Sequence, residues 1–144
     1  MLMILPIWAQ SRPEMIDHYN TEAGLALQGY DVVAYFTLGK AVKGNAQIAH
    51  RIGNRLYYFS TPLHRDLFIA HPGHYEPQYG GWCAYAMGET GEKVGINPET
   101  FKIVEGKLYL FYNAYFTNTL KKWNKDEKNL KRKADQHWQA LIDH

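Results

Sequence analysis

The chain has 144 residues, of which 46% are hydrophobic and 15% aromatic, and its formal net charge is +2. That length fits one domain with its own core, and the apolar content argues against an intrinsically disordered chain. The small excess of positive charge is insufficient to neutralise many phosphates, so we expect no specific nucleic-acid binding. The single cysteine excludes an intramolecular disulfide and a CxxC metal or redox pair.

The N-terminal segment has features of an export signal. Residues 1–9 are almost wholly apolar, and Ala9-Gln10-Ser11 has the small residues that a signal-peptidase site requires. The segment is far shorter than a membrane-spanning helix and lacks the basic start of a complete signal peptide. We therefore interpret residues 1–11 as the remnant of a signal peptide and predict an exported, periplasmic protein. The alternative is a segment that docks on the domain.

The first half of the chain predicts strands and one helix. Residues 12–28 are interpreted as a polar lead-in with a short helix, and residues 29–142 as the domain. The β-branched and aromatic run 31–37 predicts a strand. Runs 46–52 and 55–60 flank Gly53-Asn54 and predict a hairpin, because both turn residues tolerate positive φ. Thr61 as a cap, Pro62 at the first position and Pro72 as a stop then predict a helix.

The second half predicts one hairpin among helices. A short helix is expected from Trp82 to Met87, after Gly80-Gly81. Residues 101–104 and 107–112 predict a hairpin across Glu105-Gly106, and residues 114–123 predict a helix. A last helix begins after Asp126, with an apolar stripe at Leu130, Ala134, His137, Trp138 and Leu141. Together these elements predict an α+β fold: a small single domain with β-hairpins packed against short helices and a helical C-terminus.

Cys83 is the first candidate for chemistry. It follows two glycines and falls in the first turn of the predicted short helix, where unpaired backbone N–H groups stabilise a thiolate. Gly80 and Gly81 would let a ligand approach the backbone closely. The alternative is a buried cysteine that acts as a small hydrophobic residue.

Other candidates are the histidines and one aspartate. His64 and His71 share a helix face but lie about two turns apart, roughly 10 Å, which is too far to bind one ion together. His71 and His74 bracket Pro72-Gly73, where a turn would bring their rings together, although neither pair has zinc-site spacing. Asp31, with Tyr30 and Tyr35, is placed either to orient a ligand or to cap backbone N–H groups in a turn.

The C-terminal region carries seven basic residues between Lys121 and Lys133 against Asp126 and Glu127. Such a charge pattern is typical of the solvated face of a helix. The alternative is a docking site for an acidic protein or a membrane surface.

Several segments together resemble a known family. They are GYDVVAYF at 29–36, YYFS at 57–60, RDLF at 65–68, Pro72, Tyr75, PQYGGWCAYA at 77–86 and FKIVEGKLYL at 101–110. This pattern resembles the YHS domain proteins, most closely the exported bacterial branch described as YHS domain-containing (seleno)proteins. The resemblance covers residues 24–142.

The resemblance has two implications for the site. In metal-handling YHS modules three cysteines are the expected ligands, and this chain has Ala34, Ser60 and His64 at those positions. His64 would keep one ligand, but one imidazole does not make a metal site. In the exported branch the cysteine falls in the YGGxCA segment, here Cys83, and selenocysteine stands there in some relatives. The resemblance therefore implies a functional Cys83 and an exported protein.

Three functional hypotheses follow. The first is an exported YHS-domain binding module that holds a transition-metal ion or small ligand near Cys83. Its metal ligands would be Cys83 and His64, and its other site residues are Tyr30, Asp31, Tyr35, Tyr79, Gly80 and Gly81. The second is a thiol redox protein in which Cys83 attacks an oxidant or mixed disulfide and borrows a resolving thiol. The third is a non-catalytic interaction domain that docks through Lys121–Lys133.

Overall fold

A computed structural model describes residues 17–143, which form an α+β domain of the predicted kind. The predicted signal-peptide remnant, residues 1–11, lies outside the described residues. The longer strands are β3 (Asn45–Ile52), β4 (Arg55–Phe59), β5 (Asn97–Val104) and β6 (Lys107–Phe111), and the short ones are β1 (Thr21–Glu22), β2 (Leu25–Ala26), β7 (Asn113–Ala114) and β8 (Thr117–Asn118). The helices are α1 (Ala34–Thr37), α2 (Pro62–Ala70), α3 (Pro72–Tyr75), α4 (Ala84–Glu89), α5 (Thr119–Asn124) and α6 (Glu127–Ile142).

Both predicted hairpins are present. β3 and β4 pair antiparallel around a turn in which Gly53 has a φ of 55°, and β5 and β6 pair antiparallel around Glu105-Gly106. β2 adds to β4 in parallel through Leu25 and Leu56, which gives a four-stranded sheet of order β1-β2-β4-β3. The described part of the predicted lead-in therefore contributes strands to the sheet, and a three-residue turn at Leu27–Gly29, rather than a helix.

Strand β6 is shared by two hydrophobic cores. Leu108 and Leu110 pack in the core formed with the first hairpin and α2, whereas Tyr109 and Phe111 pack against α4, α5 and α6. The division follows from strand geometry, because successive side chains point to opposite faces. All four residues are almost fully buried. The predicted stripe on the last helix contributes to the second core, in which Leu130 and Ala134 are buried and Trp138 and Leu141 pack beside them.

Helix α2 begins as the sequence predicts. The Thr61 hydroxyl accepts a hydrogen bond of 3.1 Å from the His64 amide, and Pro62 occupies the first helical position. The helix that was predicted from Trp82 begins two residues later, at Ala84, and Cys83 is its N-cap residue rather than part of its first turn. α4 also continues through Gly88, because that position packs directly on α6. A Cβ at Gly88 would lie 2.6 Å from the backbone oxygen of Leu130.

The run 31–37 is not the predicted strand. Its first residues form a turn that leads into α1, because Asp31 Oδ1 accepts hydrogen bonds from the amides of Val33 and Ala34 at 2.9 and 3.2 Å. The β-branched residues of this run, Val32 and Val33, are fully buried all the same. The β-branched composition of this run therefore reflects burial of its side chains in the core, whereas the turn at Asp31 sets its backbone conformation.

The predicted helix over 114–123 is also wrong in its first half. β7 and β8 form a small hairpin with Tyr115 and Phe116 at its turn, at φ values of 50° and 64°. Left-handed backbone costs a residue with a side chain about 1–2 kcal/mol, which is why helical periodicity did not predict this turn. The helix begins at Thr119, where the Asn118 side chain accepts from the Leu120 amide at 3.0 Å.

Candidate functional site

Asp31 is the centre of a buried polar network. It is fully buried, and its Oδ2 accepts from the Ser60 amide at 2.8 Å and from the Ser60 hydroxyl at 2.6 Å. The same oxygen lies 2.6 Å from Nδ1 of His64, which therefore carries the ring hydrogen, since a carboxylate oxygen can only accept. With its two bonds to the amides of the following turn, the carboxylate joins α1, the end of β4 and α2.

The other ring nitrogen of His64 faces the hydroxyl of Thr37, a residue that is exposed overall. Nε2 lies 3.0 Å from Thr37 Oγ1, at the C-terminal end of α1, and only 7% of the His64 residue is exposed. In the neutral ring, Nε2 accepts a hydrogen bond from the hydroxyl. Asp31, His64 and Thr37 thus form a continuous hydrogen-bonded chain from the core to the surface.

The network occupies the three positions at which the YHS resemblance implies cysteines. Ala34 contributes its amide, Ser60 its amide and hydroxyl, and His64 its imidazole, and all are directed at Asp31. Each buried side-chain polar atom of the network has a hydrogen-bond partner within the described part of the protein. The arrangement fixes three elements together. Of the two roles predicted for Asp31, these contacts favour the capping of backbone N–H groups over the orientation of a ligand.

The two tyrosines grouped with Asp31 have separate surroundings. The Tyr35 hydroxyl donates to the carbonyl of Pro98 at 2.6 Å, and burial raises the pKa of this phenol well above its ordinary value. Tyr30 is half-buried and forms an isolated β-bridge with Lys43. Each therefore holds a different part of the chain against the first core.

Cys83 lies in a different part of the molecule and is fully buried. Its amide donates to the Val94 carbonyl at 2.8 Å, and its Sγ accepts from the Tyr112 amide at 3.3 Å. The sulfur also lies 3.4 Å from the hydroxyl of Thr119, which donates to the Tyr112 carbonyl at 2.6 Å. Cys83 thus ties the segment at Val94 to the strand end at Tyr112.

Those two segments are walls of a surface cleft of about 290 Å³. The cleft combines the N-terminal strands, the segment before β5 and the β6–β7 junction, and its lining includes Asn20, Glu22, Gln28, Val94, Tyr112 and Asn113. Its volume is close to the lower end of the range for small-molecule sites, about 300–1,000 Å³. The buried thiol lies directly behind this cleft.

The side chains of the cleft present hydrogen-bond acceptors. The amide nitrogens of Asn20, Gln28 and Asn113 donate to Gly81 O, Ile96 O and Thr100 Oγ1, respectively, at 3.1–3.2 Å. Within residues 17–143, by contrast, the amide oxygens of these three side chains and the carboxylate of Glu22 accept no hydrogen bond. The cleft is therefore complementary to a ligand that donates hydrogen bonds, especially a cationic one.

Two left-handed turns lie beside the cleft. Leu27, Gln28 and Gly29 have φ values of 56°, 53° and 84°, and residues 79–81 have values of 57°, 61° and 84°. The first turn positions Gln28. Consecutive left-handed residues are energetically costly and cluster at functional sites.

The predicted glycines line an adjoining cavity. Gly80 and Gly81 border a narrow space of about 20 Å³ that shares Asn20, Glu22, Gln28 and Ile96 with the cleft. That space has room for about one water molecule. Tyr79 points elsewhere, since its hydroxyl donates to Asp135 at 2.8 Å; burial and this bond raise the pKa of the phenol.

The residues predicted as ligands are thus divided between two places. The structure brings Asp31 and His64 into contact, whereas Gly80 and Gly81 border the cavity that adjoins the cleft and Cys83 is buried behind the cleft. Among the described residues, no group of three or more His, Cys, Asp or Glu side chains is arranged to hold a metal ion. His71 lies between α2 and α3, and the His74 ring packs on Phe36 and Tyr75.

Sequence reasoning missed the cleft residues Asn20, Gln28 and Asn113. They are distant in the chain, and isolated amide side chains carry no spacing signal.

A comparison of the chain with protein-family models, curated proteins and solved structures found no match in any of the three.

Proposed function

We propose that this protein is a YHS-like binding domain for a small cationic ligand rich in hydrogen-bond donors, of the primary-amine class. The observation that carries the proposal is the cleft of about 290 Å³ with acceptor oxygens on Asn20, Gln28 and Asn113 and the carboxylate of Glu22. An ammonium group supplies three donors and a positive charge, which match these groups.

In this proposal Cys83 supports the site without contacting the ligand. Its sulfur is fully buried, while Val94 and Tyr112, to which it is hydrogen-bonded, both line the cleft. A redox thiol has to meet its oxidant, and reactive cysteines are partly exposed. The burial of Cys83 therefore favours a binding module over a thiol redox protein.

The test is a titration with 1,4-diaminobutane, followed by calorimetry and by amide NMR shifts. We expect saturable binding with a dissociation constant on the order of 1 mM, which corresponds to about −4 kcal/mol for a six-atom ligand. Affinity should fall as salt increases, because the exposed Glu22 carboxylate is screened. The largest shifts should occur at residues 20–28 and 94–114.

Three variants distinguish the roles of the residues. Glu22→Gln keeps the shape of the side chain and removes its charge, and should weaken binding about three- to tenfold. Glu89→Gln, an exposed change on α4 outside the cleft, is the matched control and should have no effect. Folded Cys83→Ser should bind within about threefold of the wild type. Unchanged affinity in Glu22→Gln would contradict the proposal, and abolished binding in folded Cys83→Ser would contradict the claim that the thiol makes no contact with the ligand.

A further inference from the structure

The turn between β7 and β8 presents two aromatic side chains to solvent. Tyr115 is 89% exposed and Phe116 is 111% exposed, and both have left-handed backbone. A two-residue hairpin turn of this kind favours Asn-Gly, since both positions require positive φ. The chain therefore places two large aromatic residues at strained positions where they make little contact with the fold. We call Tyr115 and Phe116 the aromatic tip.

The aromatic tip is held in a fixed direction. β7 and β8 pair through Asn113 with Asn118 and through Ala114 with Thr117. At the base, the amide and hydroxyl of Thr119 both donate to the Tyr112 carbonyl, at 3.0 and 2.6 Å. Two residues of strand extend about 7 Å, so the aromatic tip projects by about that length from its base.

Exposed lysines follow the aromatic tip directly. Lys121, Lys122, Lys125 and Lys128 are all exposed on α5, its junction with α6 and the start of α6, and we call them the basic face. The five residues from Phe116 to Lys121 span at most about 17 Å, so the two features are neighbours. Of the two acidic residues in this segment, Glu127 is already paired, with Lys102 Nζ at 2.7 Å, which leaves the exposed Asp126 against four lysines.

We propose that the aromatic tip and the basic face form a docking surface for an anionic lipid bilayer. Aromatic side chains are favoured at the membrane–water interface, and a projection of about 7 Å matches the insertion depth of peripheral anchors, about 5–10 Å. Each lysine near an anionic leaflet strengthens binding roughly fivefold. None of the helices in the described part of the chain is long and apolar enough to cross a bilayer.

The aromatic tip can enter a fluid lipid surface without a preformed pocket, and the charge complementarity selects anionic over neutral lipid. The aromatic tip and the basic face are not among the residues that line the cleft, although Asn113 and Ala114 of β7 belong to both the cleft and the hairpin that carries the tip.

The test is co-sedimentation with vesicles of phosphatidylcholine alone or mixed with phosphatidylglycerol. Wild type should bind the mixed vesicles at least tenfold more strongly than the neutral ones, and less strongly in high salt. The double variant Tyr115→Asn/Phe116→Gly keeps the turn geometry, relieves its strain and should lose at least tenfold in binding. The variant Lys121→Glu/Lys125→Glu should lose at least as much.

A charge-matched control separates the basic face from net charge. Lys40→Glu/Lys43→Glu reverses two exposed lysines before β3 and should retain binding within about threefold. A Phe116→Trp variant gives a second readout, a blue-shifted tryptophan emission with mixed vesicles, measured against the wild type as background.

Four results would overturn the proposal. The first is an absence of binding to the mixed vesicles at low salt. The second is unchanged binding in the aromatic-tip variant, and the third is an equal loss in the Lys40/Lys43 control. Self-association of the wild type that the aromatic-tip variant abolishes, without vesicle binding, would assign the surface to a second copy of the chain and likewise overturn it.

Discussion

Replacing Asp31 with asparagine tests the buried network most severely. The carboxylate is fully buried and accepts five hydrogen bonds of 2.6–3.2 Å, from two backbone amides of the following turn, from the amide and hydroxyl of Ser60 and from the His64 ring. Asn has nearly the same shape, but one of its two polar atoms donates. Whichever way the amide is oriented, its NH₂ group faces at least two donors and leaves them without an acceptor.

The expected loss is a large part of the total stability. Hydrogen bonds to charged groups are worth about 1.5–3 kcal/mol each, and breaking a buried polar pair from one side costs about 3–5 kcal/mol. We therefore expect Asp31→Asn to lower the free energy of unfolding by about 3–5 kcal/mol, against a typical total of about 5–15 kcal/mol.

Urea unfolding followed by tryptophan fluorescence measures the effect, since Trp123 is fully buried. The matched control is Asp66→Asn. That carboxylate is 67% exposed and lies 3.6 Å from Arg65 Nε, so its loss should change stability by less than about 0.5 kcal/mol. A loss of less than about 1 kcal/mol in Asp31→Asn would refute the view that this carboxylate joins α1, β4 and α2.

Three further predictions follow from packing, ionisation and backbone strain. Gly88→Ala should destabilise the protein by about 1–3 kcal/mol in urea unfolding, because the new Cβ would lie 2.6 Å from the Leu130 carbonyl oxygen. A variant as stable as the wild type would contradict the close packing of α4 on α6. Burial raises the pKa of four phenols in the folded protein, those of Tyr35, Tyr57, Tyr79 and Tyr109, the last to about 12. The stability that their neutral forms provide is therefore intact below pH of about 10, where the phenols of the unfolded chain are also neutral. It is lost as the pH rises from there through the raised pKa values of the folded protein. Ultraviolet titration should show these phenols ionising only above that pH or together with unfolding, and simple titration of all 11 tyrosines near pH 10 in a folded protein would rule this out. Tyr115→Asn/Phe116→Gly should raise the unfolding midpoint by relieving left-handed strain worth about 1–2 kcal/mol per residue, and a lower midpoint would show that the aromatic tip supports the fold.

The sequence predicted those features that depend on neighbouring residues. The turn at Gly53-Asn54, the cap at Thr61 with Pro62, and the hairpin across Glu105-Gly106 each have their determinants within a few residues. The apolar stripe on α6 was also predictable, since it follows from helical periodicity alone.

The failures have a common physical cause, which is partners that are distant in the chain. Val32 and Val33 have the composition of a strand, but Asp31 turns their backbone and binds Ser60 and His64 about 30 residues away. The strained turn at Tyr115-Phe116 contradicts local preference, so no propensity argument predicts it.

The candidate site was predicted in part. The segment around Cys83 was predicted as a candidate from its glycines and lone thiol, whereas the cleft depends on Asn20, Gln28 and Asn113, which come together only in the folded chain. The two glycines before Cys83 do not predict whether its thiol is buried or exposed, because its exposure depends on Val94, Tyr112 and Thr119, which are distant from most of that segment in the chain.

The most direct test of the central claim locates the bound amine itself. Nuclear Overhauser contacts between the methylene protons of 1,4-diaminobutane and the protein would report which side chains surround it. If the amine binds in the cleft, we expect contacts to Ile96, Tyr112 and Asn113, which all line it. Contacts that fall on another surface, or none at a saturating concentration of the amine, would contradict it.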